Sequence, residues 1–196
     1  MVSKQYPLLI SFYTKDWCYP DHARRLEAEC QELGLDYRIV ELPSTKSYLR
    51  NTCLKPQFIL NCFADRPLLW VDVDASIYRR PDFFLETGWD FQAKRITNPN
   101  RIRTWHVGTM YFEPNETMRA FMLDWINNLK VTDESALEQT WRHWQNRLKT
   151  RDIPASYFEI EPNKRTDECV IYHRLSRGEA KGRENEIAIQ DEVRNG

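Results

Sequence analysis

The chain has 196 residues, 41% hydrophobic and 29% charged, with a net charge of −1. That is enough for one sizeable core but short for two, and it argues against extensive disorder. With no global field to draw the protein onto nucleic acid or membrane, any such partner needs a local patch.

Five scattered cysteines (Cys18, Cys30, Cys53, Cys62, Cys169) form no Cys-x-x-Cys pair, so they indicate neither a disulfide framework nor a zinc site. We expect reduced, mostly buried thiols. No basic start leads into an apolar run, and no apolar stretch reaches about 18 residues. The expectation is therefore a cytoplasmic protein of this full length.

Pro7 to Thr14 reads as a first buried strand. The loop Lys15-Asp16-Trp17 lies at its carboxyl end, where ligands of open α/β sheets bind. A helix follows, with Asp21 as its cap, Ala23, Leu26, Cys30 and Leu33 on one stripe, and Gly34 at its end. Asp36 to Val40, stopped by Pro43, supplies a second strand and completes a right-handed βαβ unit. Ser44 to Thr52 is polar and irregular. Lys55-Pro56 opens another helix with Phe58, Ile59, Cys62 and Phe63 turned inward, and Leu68-Leu69-Trp70-Val71 reads as a strand buried on both faces.

That strand ends in Asp72-Val73-Asp74. On an extended chain, side chains at i and i+2 share a face, so both acids can point at one object. Like charges that close raise each other's pKa unless a cation sits between them, and a hard divalent ion, Mg2+ or Mn2+, suits oxygen ligands. Two solvated turn residues fit the tripeptide too.

Trp89 to Lys94 alternates like a strand exposed on one face, and a loop carrying Arg95, Arg101 and Arg103 follows. Val107 to Phe112 is a further strand, and its Gly108 suggests a close approach to the backbone. Asn115 caps a helix with Met118, Phe121, Met122, Trp125, Ile126 and Leu129 on its core side. Asp133-Glu134-Ser135 begins another, with Leu137, Trp141, Trp144 and Leu148 at helical spacing. Tyr157 to Ile160 and Cys169 to Tyr172 are short late strands, the second closed by His173-Arg174. The rest is polar.

The order of these elements, the Asp-x-Asp behind a βαβ unit, Lys55-Pro56-x-Phe58-Ile59 before it and His106-Val107-Gly108-Thr109-Met110-Tyr111-Phe112 after it resemble the GT-A glycosyltransferases, in particular the nucleotide-diphospho-sugar transferase group. The resemblance runs from about Pro7 to Lys181. It implies an α/β fold, a Rossmann-type αβα sandwich with a mainly parallel central sheet. It also implies one domain over 1–196, with a nucleotide-sugar half (about 1–75), an acceptor half (about 76–183) and a polar tail (184–196).

The implied activity is metal-dependent transfer of a sugar from a nucleotide-diphosphate sugar to a hydroxyl acceptor. Mn2+ or Mg2+ would be held by Asp72, Asp74 and a late histidine, His173. By position, the resemblance assigns donor binding to Tyr13, Thr14, Lys55 and Lys181, and substrate binding to His106, Gly108, Thr109 and Arg142. Asp133 and Glu134 stand where such enzymes carry an acidic catalytic residue, although acids also favour helix N-termini for their dipole alone.

Saccharide, protein, lipid-linked sugar and nucleic acid all stay open as acceptors. Two basic stretches bear on the last, Lys94 to Arg103 and Trp141 to Arg151, where Arg142, Arg147, Lys149 and Arg151 interleave with Trp141, His143 and Trp144. Such a mixture can track phosphates and stack on bases, including hydroxymethylated ones, or be a solvated helix face over buried tryptophans. Two other classes compete. The Asp-x-Asp also resembles the first motif of haloacid-dehalogenase phosphatases, with Asp72 as nucleophile, and a nonenzymatic nucleotide-binding module is the third reading.

Overall fold

In the computed structural model, which describes residues 5–96, 104–130, 132–160 and 165–174, strand and helix alternate up to the Asp-x-Asp. β1 (Leu8–Tyr13), α1 (Tyr19–Glu32) and β2 (Tyr37–Glu41) form the expected βαβ unit, with β2 parallel to β1. α2 (Tyr48–Thr52) and α3 (Lys55–Asn61) lead into β3 (Leu68–Val71), parallel to β1 on its other side. Then come β4 (Ala75–Ile77), β5 (Phe91–Arg95), β6 (Trp105–Phe112), α4 (Glu116–Asn127), α5 (Asp133–Trp144), β7 (Thr150–Asp152), β8 (Glu159–Ile160) and β9 (Ile171–His173). Lys181, Arg101, Arg103 and the polar tail lie outside the described residues.

The central sheet has six strands in the order β2-β1-β3-β6-β5-β7, and a smaller sheet has the order β4-β9-β8. β6 runs antiparallel to both of its neighbours, while the other three pairings in the large sheet are parallel. The expected mainly parallel α/β sheet is therefore present.

Side-chain alternation sorts the core onto its two faces. Ile10, Phe12, Trp70, Met110 and Phe112 join the apolar stripes of α3, α4 and α5. Leu9, Leu69, Val71 and Tyr111 meet Leu26 and Cys30 of α1 and Ala75, Ile77 and Ile171 of the small sheet. α4 starts as its sequence requires, with the Asn115 side chain accepting from Met118 N at 2.8 Å. All five cysteines are free thiols.

Several expectations need correction. Asp21 does not cap α1. The helix begins at Tyr19 behind Cys18, because Pro20 has no N–H to satisfy and a preset φ, and Asp21 pairs with Arg24 in the first turn instead. The Ser44 to Thr52 stretch is not wholly irregular. Ser47 caps the single turn of α2, too short to show an apolar period. β5 is not exposed on one face, since it lies between β6 and β7 and its first three residues are buried. Tyr157 ends a 3-10 turn rather than opening a strand. β4 and β7, three residues each, were not foreseen.

Candidate active site

The carboxyl ends of β1 and β3 form the floor of a cavity lined by Phe12, Tyr13, Thr14, Trp70, Asp72 and Asp74. Tyr19, Tyr48, Leu49, Asn51, Thr52, Lys55, Val107, Thr132, Asp133 and Glu134 line the rest of it. Ligands are expected at that end of an open α/β sheet.

Asp72 and Asp74 do converge, but not through an extended chain. β3 stops at Val71, and the next residues turn, with Ala75 N donating to Asp72 O at 2.9 Å. The turn delivers the chain into β4, which pairs antiparallel with β9 so that Ala75 faces His173. Asp72, Asp74 and His173 thereby each offer a ligand atom, all within 4.8 Å of one another. Two carboxylates and an imidazole suit a divalent cation such as Mn2+. Burial pushes the His173 pKa down to about 4 against the pull of Asp72, with Lys55 and His106 adding to the fall. The ring is thus neutral at pH 7, the form that binds metal.

Gly108 explains how that ring fits. A Cβ there would meet His173 Cε1 at 2.7 Å, Phe158 Cε2 at 2.8 Å and His173 Nδ1 at 2.9 Å. The close approach inferred from the sequence is the approach of His173 itself. Thr109 Oγ1 lies 2.8 Å from His173 Nε2, Gly108 O accepts from Asp72 N at 2.8 Å, and Phe158 stacks between the His173 and His106 rings. His106, Gly108 and Thr109, expected to bind substrate, are gathered around His173 and do not line the cavity. Such partners orient a ligand and raise its basicity.

Lys55 is buried between two carboxylates and a backbone carbonyl. Its Nζ lies 3.0 Å from Asp72 Oδ1, 3.0 Å from Asp133 Oδ2 and 3.3 Å from Val107 O. Burial opposes its charge, yet the Coulombic pull of Asp133 and Asp72 wins and holds it above the ordinary lysine value. Rather than standing free for a phosphate or ribose, it ties the Asp-x-Asp to the start of α5. Trp70 Nε1 also donates to Asp72 Oδ1, at 2.9 Å, so that oxygen is committed to orientation and Oδ2 is left for a cation.

Asp133 is held at the helix start by the Thr132–Ser135 capping box. Its contact with Lys55 has the distance of an ion pair without the angle of a hydrogen bond, so Oδ2 has no hydrogen-bond partner among the described residues. Thr14 is buried and donates to Asp16 at 2.9 Å, part of a polar knot with Ser44 and Asn51. Arg142 lies toward the far end of α5, exposed and 3.5 Å from Glu138, and does not line the cavity. Trp141 and Trp144 are buried, so neither can stack on a base.

No protein-family model matches the sequence, and no curated protein matches it. Solved structures do match. A glycosyltransferase involved in the glycosylation of the major capsid of PBCV-1 aligns with a TM-score of 0.64 at 14% identity, over 90% of this chain and 98% of that one. The apo-form glycosyltransferase GlyE of Streptococcus pneumoniae TIGR4 aligns at 0.58 and 12%, over 86% and 54%. Galactosyltransferase LgtC, solved with donor and acceptor sugar analogs, aligns at 0.52 and 8%, over 85% and 86%. The chain has the GT-A fold.

Within the GT-A fold, the Asp-x-Asp follows the third strand in chain order, not the first as the phosphatase motif requires. Sequence reasoning missed Tyr19, Tyr48 and Asn51 as cavity walls, and Trp70 as the partner of Asp72. Only Trp70 carried a signal, an indole N–H buried two residues from an acid. No described helix is long and apolar enough to cross a membrane.

Proposed function

We propose that the protein is a metal-dependent glycosyltransferase that moves a sugar from a nucleotide-diphosphate sugar to a hydroxyl acceptor. One observation carries this reading: in a GT-A fold, Asp72 and Asp74, which line the cavity, come together with His173 from far along the chain, with ligand atoms all within 4.8 Å of one another. When bound, a divalent cation would offset the charge that gathers on the leaving diphosphate.

The chain's own groups do the rest. Asp72, Asp74 and His173 hold the cation, and Trp70 and Lys55 orient Asp72. Tyr13, Tyr19 and Tyr48 line the cavity, and such an aromatic lining suits a nucleoside. Asp133 Oδ2, buried 3.0 Å from Lys55 Nζ and without a hydrogen bond among the described residues, suits a sugar hydroxyl or the acceptor proton, with Glu134 beside it. A saccharide or protein hydroxyl is the acceptor class that the neighbours' descriptions favour. Trp141 and Trp144 are buried, which counts against base stacking along α5.

The test is thermal denaturation with a panel of nucleotide sugars, with and without Mn2+. A ligand at 100 times its Kd adds about 2.7 kcal/mol, which for this length raises Tm by roughly 5–10 °C. The rise should need Mn2+ and vanish in Asp72→Asn. If no nucleotide sugar shifts Tm, the transferase reading fails. Hydrolysis of a generic phosphoester, lost in Asp72→Asn, would favour the phosphatase instead.

A further inference from the structure

β4 ends the small sheet, so β9 covers one of its edges and, among the described residues, no strand covers the other. Backbone groups on such an edge need partners. They find them on α1, the helix packed against β4. Arg25 Nη2 donates to Asp74 O at 3.1 Å and to Ala75 O at 3.0 Å. One helical turn later, Glu29 Oε2 accepts from Ile77 N at 2.8 Å. The two side chains brace each other, with Arg25 Nε 3.6 Å from Glu29 Oε1, and His22 Nδ1 lies 2.8 Å from Arg25 Nη1. Two side chains four residues apart on a helix thus stand in for a missing strand.

We propose that Arg25 is a positioning residue for the metal centre, taking Asp72, Asp74 and His173 as its ligands. One nitrogen of the guanidinium grips the carbonyl of Asp74, a ligand, and that of Ala75, the residue paired with His173. A single side chain therefore sets both the tilt of the Asp-x-Asp turn and its separation from β9. The Arg25 and Glu29 side chains are only 25% and 20% exposed, so the grip is shielded from competing water. Arginine suits the task because its planar fork reaches two carbonyls, a histidine and a carboxylate at once, where an ammonium on a flexible stem cannot hold the same geometry.

The experiment uses the full chain and Mn2+ alone, with affinity read by titration calorimetry or by the spin-resonance signal of free Mn2+, and Tm read in EDTA. Arg25→Lys keeps the charge and loses the fork. It should weaken Mn2+ binding by ~10–100-fold, the loss seen when groups behind metal ligands are removed. Glu29→Gln keeps an oxygen for Ile77 N–H but loosens the guanidinium, and should weaken Mn2+ binding in the same direction. A lowered Tm with wild-type Mn2+ affinity in Arg25→Lys would reduce Arg25 to a structural role and overturn the proposal. If Arg25→Lys does not fold, unchanged affinity in Glu29→Gln overturns it. Absence of Mn2+ binding by the wild type would instead overturn the ligand assignment, and the proposal with it.

Discussion

Replacing Gly108 with alanine adds one methyl group behind the metal centre, and two physical effects of opposite sign then compete. Gly108 has no positive φ, so its backbone accepts a side chain. By propensity alone, alanine in a strand is more stable than glycine by about 0.5–1 kcal/mol. The methyl, however, would meet two atoms of the His173 ring and one of Phe158 at 2.7–2.9 Å, where ordinary contact begins at 3.4 Å. The rings must retreat by roughly 0.5–0.7 Å, and overpacking of that kind costs about 1–3 kcal/mol. The clash wins over nearly all of that range, for a net loss of up to about 2.5 kcal/mol.

For a chain of this length that loss lowers Tm by up to roughly 10 °C. Because the ring that moves is His173, held to Thr109 at 2.8 Å, Mn2+ affinity should fall as well, by ~10–100-fold. Thermal denaturation in EDTA and Mn2+ titration of Gly108→Ala read the two effects separately. A higher Tm with unchanged Mn2+ affinity would mean that His173 does not occupy the space Gly108 leaves, and would refute the packing argument.

Lys55→Met leaves the Asp133 carboxylate, 4% exposed, without its cation. Removing one partner of a buried pair costs about 3–5 kcal/mol, and denaturant unfolding that gives wild-type stability would contradict the assignment. His173 supplies a pH dependence: its folded pKa of about 4 lies below the unfolded value of about 6.5. The folded protein then binds fewer protons, so metal-free stability is full above about pH 6.5 and declines as pH falls toward 4, by on the order of 3 kcal/mol. His173→Gln should flatten that part of the Tm profile in EDTA, and an unchanged slope would show that the ring is not held neutral.

β1 and β3 were legible because they are apolar on both faces and follow Pro7 and Pro67. α4 was readable from Asn115 and a six-residue stripe. Elements of three to five residues, such as α2, β4 and β7, carry too few positions to show a period, and pairing across the chain decides them. For the site, the two aspartates were visible, and so was the need for something close to Gly108. That this something was His173 was not visible, because a register between β4 and β9 connects them. Arg25 and Glu29 were hidden for another reason: an Arg and a Glu one turn apart on a helix ordinarily mean a solvated ion pair. The carboxylates that hold Lys55 come from the end of β3 and the start of α5, and no spacing in the sequence joins them.

Asp74 and His173 are 99 positions apart in the chain, and the pairing that joins their strands is only three residues long. A cation shared between them would close a loop of about 100 residues, as a disulfide of that span does, but reversibly. Cation concentration would then govern how firmly β9 stays docked. Amide exchange along β9 should slow as Mn2+ is added, and chelation should release that strand before the six-stranded sheet.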